Sequence, residues 1–387
     1  MLLEQYKKKE GGIKMFLSIR ELKHAKGRFA LIGCILVLIS WLVFILSGLG
    51  TGLASLSAAA FNKMEAEYIV FEEGSRNSML RSVISEDLID DLKHLSSVED
   101  AAPMGSHTTV VLKEDSSSDD EKIDISLLGV NPGTFLEPKV SEGSALEEGN
   151  NSRVLVNDTL KNNGIGIGDT LKIEGVSEVL EVGGFVEGHS FNHLPAVYTT
   201  MDKWRSLHFA APGSDMGINA PVNAIMLQGE DILIEDINAS TEGIETATKQ
   251  EAINGLPGYT STNGTIMMML GFLLAISAFV IAVFFYVLTL QKTNQFGIMK
   301  AIGASNQFLG RAIVSQVLII AVLSIGLGML LTYGTNYLFP EEMPFSLDLA
   351  SVLIYALVLI AISVLSSLLS VRKITKIDPL QAIGRVE

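Results

Sequence analysis

Cysteine is almost missing from this chain: Cys34 is the only one in 387 residues, and it lies inside an apolar run. Any part that folds in water is therefore held without disulfides and needs an adequate core. No glycine-rich loop carries the lysine followed by Ser or Thr that cradles a phosphate, and GIGIGDT at 164–170 lacks that pair too. The chain is thus not expected to hydrolyse ATP itself. A G-x-S-x-G nucleophile elbow is also absent, so a serine hydrolase is not indicated. Basic residues are outnumbered, 28 against 43 acidic, and a formal charge of −15 excludes nucleic acid as the natural partner.

What is abundant is apolar sequence. Mean hydropathy is +0.38 and 48% of residues are hydrophobic, an unusual pairing with so large a negative charge. Four charge-free runs resolve the conflict, at about 29–54, 265–290, 312–338 and 349–371. Each is long enough as a helix to cross a hydrocarbon core of about 30 Å. No charge lies within a run, which argues against a proton relay or an ion pathway. Between the first two runs lie roughly 200 residues of ordinary acidic composition, enough for one or two small domains. The expected fold is an α-helical membrane protein with four spans, one plus three, and a large α+β extracytoplasmic domain between the first and second. Its expected segments are 1–60, 61–262 and 263–387.

Lysine and arginine set the expected orientation. Residues 1–28, 291–311 and 372–387 together hold 15 basic and 5 acidic side chains, and the rest holds 13 and 38. That partition places both termini and the 291–311 elbow in the cytoplasm, and the large domain outside a bacterial plasma membrane. Residues 1–28 do not have the form of a signal peptide, so the first run is expected to stay as an anchor. Phe16, Ile19 and Leu22 within 15–28 fit a short helix lying in the interface.

Strands are expected at 65–71, 106–112 and 152–157, and alternation in LKIEG and VLEVGGFV predicts two more joined at Gly175. Helices are expected over 85–95 and through Lys161, while 113–124 reads as a charged, serine-rich loop. Pro340 and Pro344 stiffen the loop between the last two runs, Glu341 and Glu342 keep it wet, and Asp378 with Pro379 fits the start of a short tail helix. His189 and His193 stand four apart, a metal-binding spacing on a helix. Gly188 and Pro195 favour a loop there, and no metal site is expected.

Two stretches are candidates for ligand contact. Gly48, Gly50 and Gly52 close the first run with small residues that let helices approach, within one bundle or between two copies. Met267, Met268 and Met269 open the second run as flexible packers or as a soft, adaptable face. Both stretches stand near the outer ends of their spans.

The elbow FGIMKAIGAS at 296–305 and the tail KIDPLQAIG at 376–384 resemble the MacB/FtsX class of ABC transporter permeases, also called type VII. GIGIGDTLKIEG and LEVGGFVEG are similar to the outer domain of that class. Within it, FFYVLTLQKTNQFGIMKAIGAS and IDPLQAIG resemble haem-efflux permeases of Gram-positive bacteria. The resemblance implies a non-catalytic permease subunit, a homodimer with two ABC ATPase subunits, surrounded by membrane lipid. Phe296, Gly297, Lys300, Ala301 and Gly303 would then couple to the ATPase. It implies no permanent cofactor, with haem as substrate. Residues 259–265 hold no carboxylate to meet haem iron. The donors on offer are a thioether of Met267, Met268 or Met269, the phenol of Tyr259, or Glu251 further back. Alternatives are efflux of a lipid, peptide or antibiotic, or an FtsX-like regulator of an extracellular partner.

Overall fold

A computed structural model describes residues 26–114, 122–339 and 343–374. The interfacial segment 15–25, most of the serine-rich loop, Pro340, Glu341, Glu342, and the tail from 375 onward, including 376–384, lie outside the described residues. The chain divides into two compact units, Leu53–Asn263 and the helical remainder.

Among the described residues, four helices are long and apolar enough to cross a membrane. They are α1 (Lys26–Lys63), α6 (Tyr259–Gln291), α8 (Asn306–Asn336) and α9 (Leu349–Ile374). Ser305 caps α8, its hydroxyl accepting from Phe308 N, and Asp348 does the same for α9 through Ser351 N at 2.8 Å. In the helical unit, α1 and α8 meet through small residues. A Cβ on Gly328 would run into Ser40, and one on Gly33 would lie 3.4 Å from Ser324 Oγ. With lipid as apolar as leucine, close backbone approach of this kind is what holds helices together. Phe29, Ile32, Leu36, Phe285, Leu309 and Ile313 fill the bundle toward the start of α1, and Val43, Phe44, Leu270, Ile325 and Leu359 fill it further along.

The glycine stripe of α1 is occupied by the chain itself. A Cβ on Gly48 would strike the Phe345 ring, and one on Gly52 the Pro344 carbonyl. Ser346 N donates to Gly48 O at 3.1 Å. The loop before α9 thus seats on the stripe, and Gly50 faces Ile266 of α6.

In the Leu53–Asn263 unit thirteen described strands follow in order. They are β1 (Tyr68–Glu72), β2 (Ile84–Ser85), β3 (Asp100–Lys113), β4 (Ile123–Val130), β5 (Val140–Gly143), β6 (Arg153–Asn157) and β7 (Thr170–Ile173). Then come β8 (Val179–Val186), β9 (Ser190–Phe191), β10 (Leu194–Thr200), β11 (Pro221–Val222), β12 (Ala224–Gln228) and β13 (Ile244–Thr248). The helices are α2 (Leu88–Lys93), α3 (Met201–His208), α4 (Ile234–Ser240) and α5 (Lys249–Asn254). The strand order is β13-β1-β12-β3-β4-β10-β6-β8-β5. The long β3 pairs with β12 through its first residues and with β7 through Val111, Leu112 and Lys113. Since β7 also pairs with β8, the ladder β3-β4-β10-β6-β8-β7 returns to β3 and closes. Closure removes the edges that these six strands would present in an open sheet, while β13 and β5 end the wider strand order. Alternate residues (Ile125 and Leu127, Val154 and Val156, Leu171 and Ile173, Leu180 and Val182) join one core, while Leu128, Leu155 and Tyr198 face the other.

Several expectations need correction. Residues 85–95 are not one helix: Ile84 and Ser85 pair with β11, and only Leu88–Lys93 is helical. The helix through Lys161 is a 3₁₀ turn, Asp158–Asn163, closed by Gly164 at φ +73. The hairpin at Gly175 is present, with Leu171 opposite Leu180. The first apolar helix does not stop near 54. It runs to Lys63 because Ala58, Ala60, Phe61 and Met64 are buried in the second core of this unit.

Candidate functional site

The elbow is a separate helix, α7 (Thr293–Ala301), joined to α8 by a turn in which Gly303 takes φ +96. Only glycine adopts that conformation without strain. Phe296 and Gly297 are buried in the bundle, and Lys300 is half-buried. Ala301 and Gly303 are exposed, and between them Ile302 is 80% exposed. The five elbow residues therefore divide into a buried root and an exposed tip. Ile298, also exposed, adds apolar surface to that tip.

Sequence reasoning passed over the root's polar tie. Lys292 Nζ donates to Gln316 Oε1 of α8 at 3.1 Å and lies 5.2 Å from the Phe29 ring of α1. One ammonium thus ties the junction between α6 and α7 to residues of α8 and α1. The signal available was its position, the first charge after the second apolar run.

Met267, Met268 and Met269 are 57%, 57% and 48% exposed on the first turns of α6. They face away from the helical unit's core, while neighbouring Leu270 is buried in it. Gly48 and Gly52 are covered by Phe345 and Pro344, so the structure does not bring them together with the methionines as one open surface. Tyr259 packs against the second core of the Leu53–Asn263 unit, and Glu251 is committed to the capping box of α5 with Thr248.

The end of α1 is anchored within its own unit. Lys249 Nζ donates to Met64 O at 2.6 Å, and Lys63 Nζ donates to Glu187 O. Cations at a helix C-terminus complement its carbonyls. His193 sits at φ +66 in a turn and its ring lies 3.0 Å from Ser57 Oγ. His189 is buried, Nδ1 2.7 Å from the hydroxyl of fully buried Tyr198. The two histidines are thus not side by side on a helix. Burial, reinforced by the Lys63 charge, pushes the His189 imidazole down to about 4, and burial pushes the Tyr198 phenol up. Beside them is a cavity of about 420 Å³, with Met64, Phe135 and Val140 as apolar lining and Lys63, Lys139 and Glu187 as polar lining. That mixture suits an amphipathic guest.

A pH prediction arises here. Unfolded, His189 would charge near pH 6.5; folded, it resists charging until about pH 4. The unfolded state therefore binds more protons, and stability falls as pH drops from 6.5 toward 4. The full effect is on the order of 3 kcal/mol. Urea unfolding of wild type and His189→Gln at pH 7.5 and 4.5 checks this. The variant should lose less stability on acidification, and equal losses would refute the assignment.

Residues 32–239 match the family model for the MacB-like periplasmic core domain, and residues 267–379 match the FtsX-like permease C-terminal model. This chain belongs to the FtsX-like permeases with a MacB-like core domain. The permease is 25% identical, over 96% of its length and 100% of the relative's, to a Staphylococcus haemolyticus protein named as the hemin transport system permease HrtB. It is 23% identical, over 96% of its length, to an uncharacterised ABC transporter permease of Mycobacterium tuberculosis, of which 99% is covered. Among solved structures, the periplasmic region of MacB from Actinobacillus actinomycetemcomitans aligns with a TM-score of 0.36 and 13% identity. The alignment covers 49% of this permease and 92% of that chain. The permease is accordingly an ABC transporter membrane component of the HrtB/MacB type, a transport subunit.

Proposed function

We propose that this permease couples ATP hydrolysis by a separate ABC ATPase to export of a hydrophobic or amphipathic substrate, haem first among them. The observation that carries the reading is kinship along 96% of the chain with a protein named for hemin transport. In this reading two permeases and two ATPases form the pump in a bacterial plasma membrane. The basic termini and elbow face the cytoplasm, and the Leu53–Asn263 unit lies outside. The charge partition supports that orientation, and the exposed Ala301, Ile302 and Gly303 tip supports docking in a groove of the ATPase. Substrate enters from the outer leaflet against α6, where Met267, Met268 and Met269 are open and can offer a thioether to iron.

Titration of the purified permease with haemin tests this. A saturable Soret shift is expected, and replacing Met267, Met268 and Met269 by Leu should abolish or alter it while keeping apolar volume. An unchanged spectrum in the variant would remove methionine ligation. Lack of saturable binding by wild type would turn the assignment to export of a lipid, peptide or antibiotic.

A further inference from the structure

The Leu53–Asn263 unit holds a second pair of histidines, distant in sequence and adjacent in space. His107 on β3 and His208 at the end of α3 place their Nδ1 atoms 3.0 Å apart, with ring centroids at 5.0 Å and planes at 74°. The pair is built in. His208 stacks on Trp204 at 4.8 Å and 15°, and the Phe209 ring meets it edge-on at 4.6 Å. Trp204 is itself fully buried. Both imidazoles remain partly open to solvent. Their mutual contact is the only hydrogen bond either ring makes among the described residues.

We propose that His107 and His208 form a two-imidazole site for a divalent first-row cation of borderline softness, Cu(II) binding most strongly and Zn(II) less so. Metal–imidazole bonds of about 2.0–2.1 Å, at angles between a right angle and tetrahedral, set the two nitrogens roughly 2.9–3.4 Å apart. The observed spacing already lies in that range, so the rings need only turn their lone pairs to a common point. In the free pair one Nδ1–H donates to the other Nδ1. On binding, the donor ring takes its other tautomer, its Nδ1 proton moving through solvent to its own Nε2, so that both Nδ1 lone pairs meet the cation and water completes the coordination shell. Neutral imidazole is the form that ligates, so binding is expected to weaken as pH falls.

Trp204 supplies the readout. In full-length Trp41→Phe protein, which keeps Trp204 as its only tryptophan, Cu(II) should quench emission saturably with one equivalent per chain, and Zn(II) should compete. His107→Ala or His208→Ala in that background should weaken binding at least tenfold. Quenching that never saturates, or the same curve in both variants, would overturn the site. If either variant fails to fold, electron paramagnetic resonance of the Cu(II)-loaded Trp41→Phe protein decides. Coupling to two nitrogens is expected, and an oxygen-only signature refutes the proposal.

Discussion

Replacing Trp204 with Ala should be among the most damaging single substitutions in the protein. The indole is fully buried, and two strands have no side chain where it lies: a Cβ on Gly105 of β3 or on Gly129 of β4 would strike the tryptophan side chain. With glycine on both strands, the alanine variant leaves a void that no neighbour can fill. Truncating a buried Trp costs about 3–5 kcal/mol. For a domain of roughly 200 residues that corresponds to a Tm loss of roughly 10 °C. Calorimetry of the full-length protein in detergent measures it, and a shift of less than about 2 °C would contradict the packing argument. Gly105→Val should be comparably harmful from the opposite direction, by overfilling.

If the elbow docks on an ABC ATPase as proposed, Ala301→Asp should uncouple ATP hydrolysis from transport while leaving the permease folded. The methyl group is exposed at the apolar tip of the elbow, so the free protein accommodates a carboxylate in water at little cost. Docked against an ATPase groove, the same carboxylate loses its solvent without gaining a partner, which costs several kcal/mol. Each 1.4 kcal/mol is about tenfold in affinity, so association weaker by more than roughly a hundredfold is expected. Co-purification with the ATPase, together with permease-stimulated ATP hydrolysis, reads it directly. Undiminished association would place the docking surface elsewhere.

The membrane spans were legible because a globular core seldom contains a charge-free run long enough to cross a bilayer. The elbow was legible through its motif, although its division into buried Phe296 and exposed Ile302 was not, since both are apolar letters in one short stretch. The closed ladder was hidden by the distance between its partners. It depends on β3 pairing with both β4 and β7, and pairing between Val111 and Ile173 leaves no trace in either segment. The same holds for His107 and His208, which only the docking of α3 on β3 brings together. The glycine stripe of α1 announced close approach correctly but could not say to what. Phe345, almost 300 positions away, was the answer.

The burial of the last turns of α1 has a bearing on biogenesis. Ala58, Phe61 and Met64 leave the ribosome early, yet what covers them includes Ala252, Ile253 and Leu256, and β1 completes its pairing only when β13 arrives, Tyr68 opposite Thr248. A nascent chain halted before residue 244 would be anchored by one helix and display an unfinished apolar face to the translocation and quality-control machinery. Contacts so far apart in sequence form slowly. The second span follows α5 within a few residues, so insertion of α6 and completion of this core are nearly simultaneous events in synthesis. Stop codons between 64 and 244 should therefore yield rapidly degraded fragments rather than stable, membrane-tethered domains.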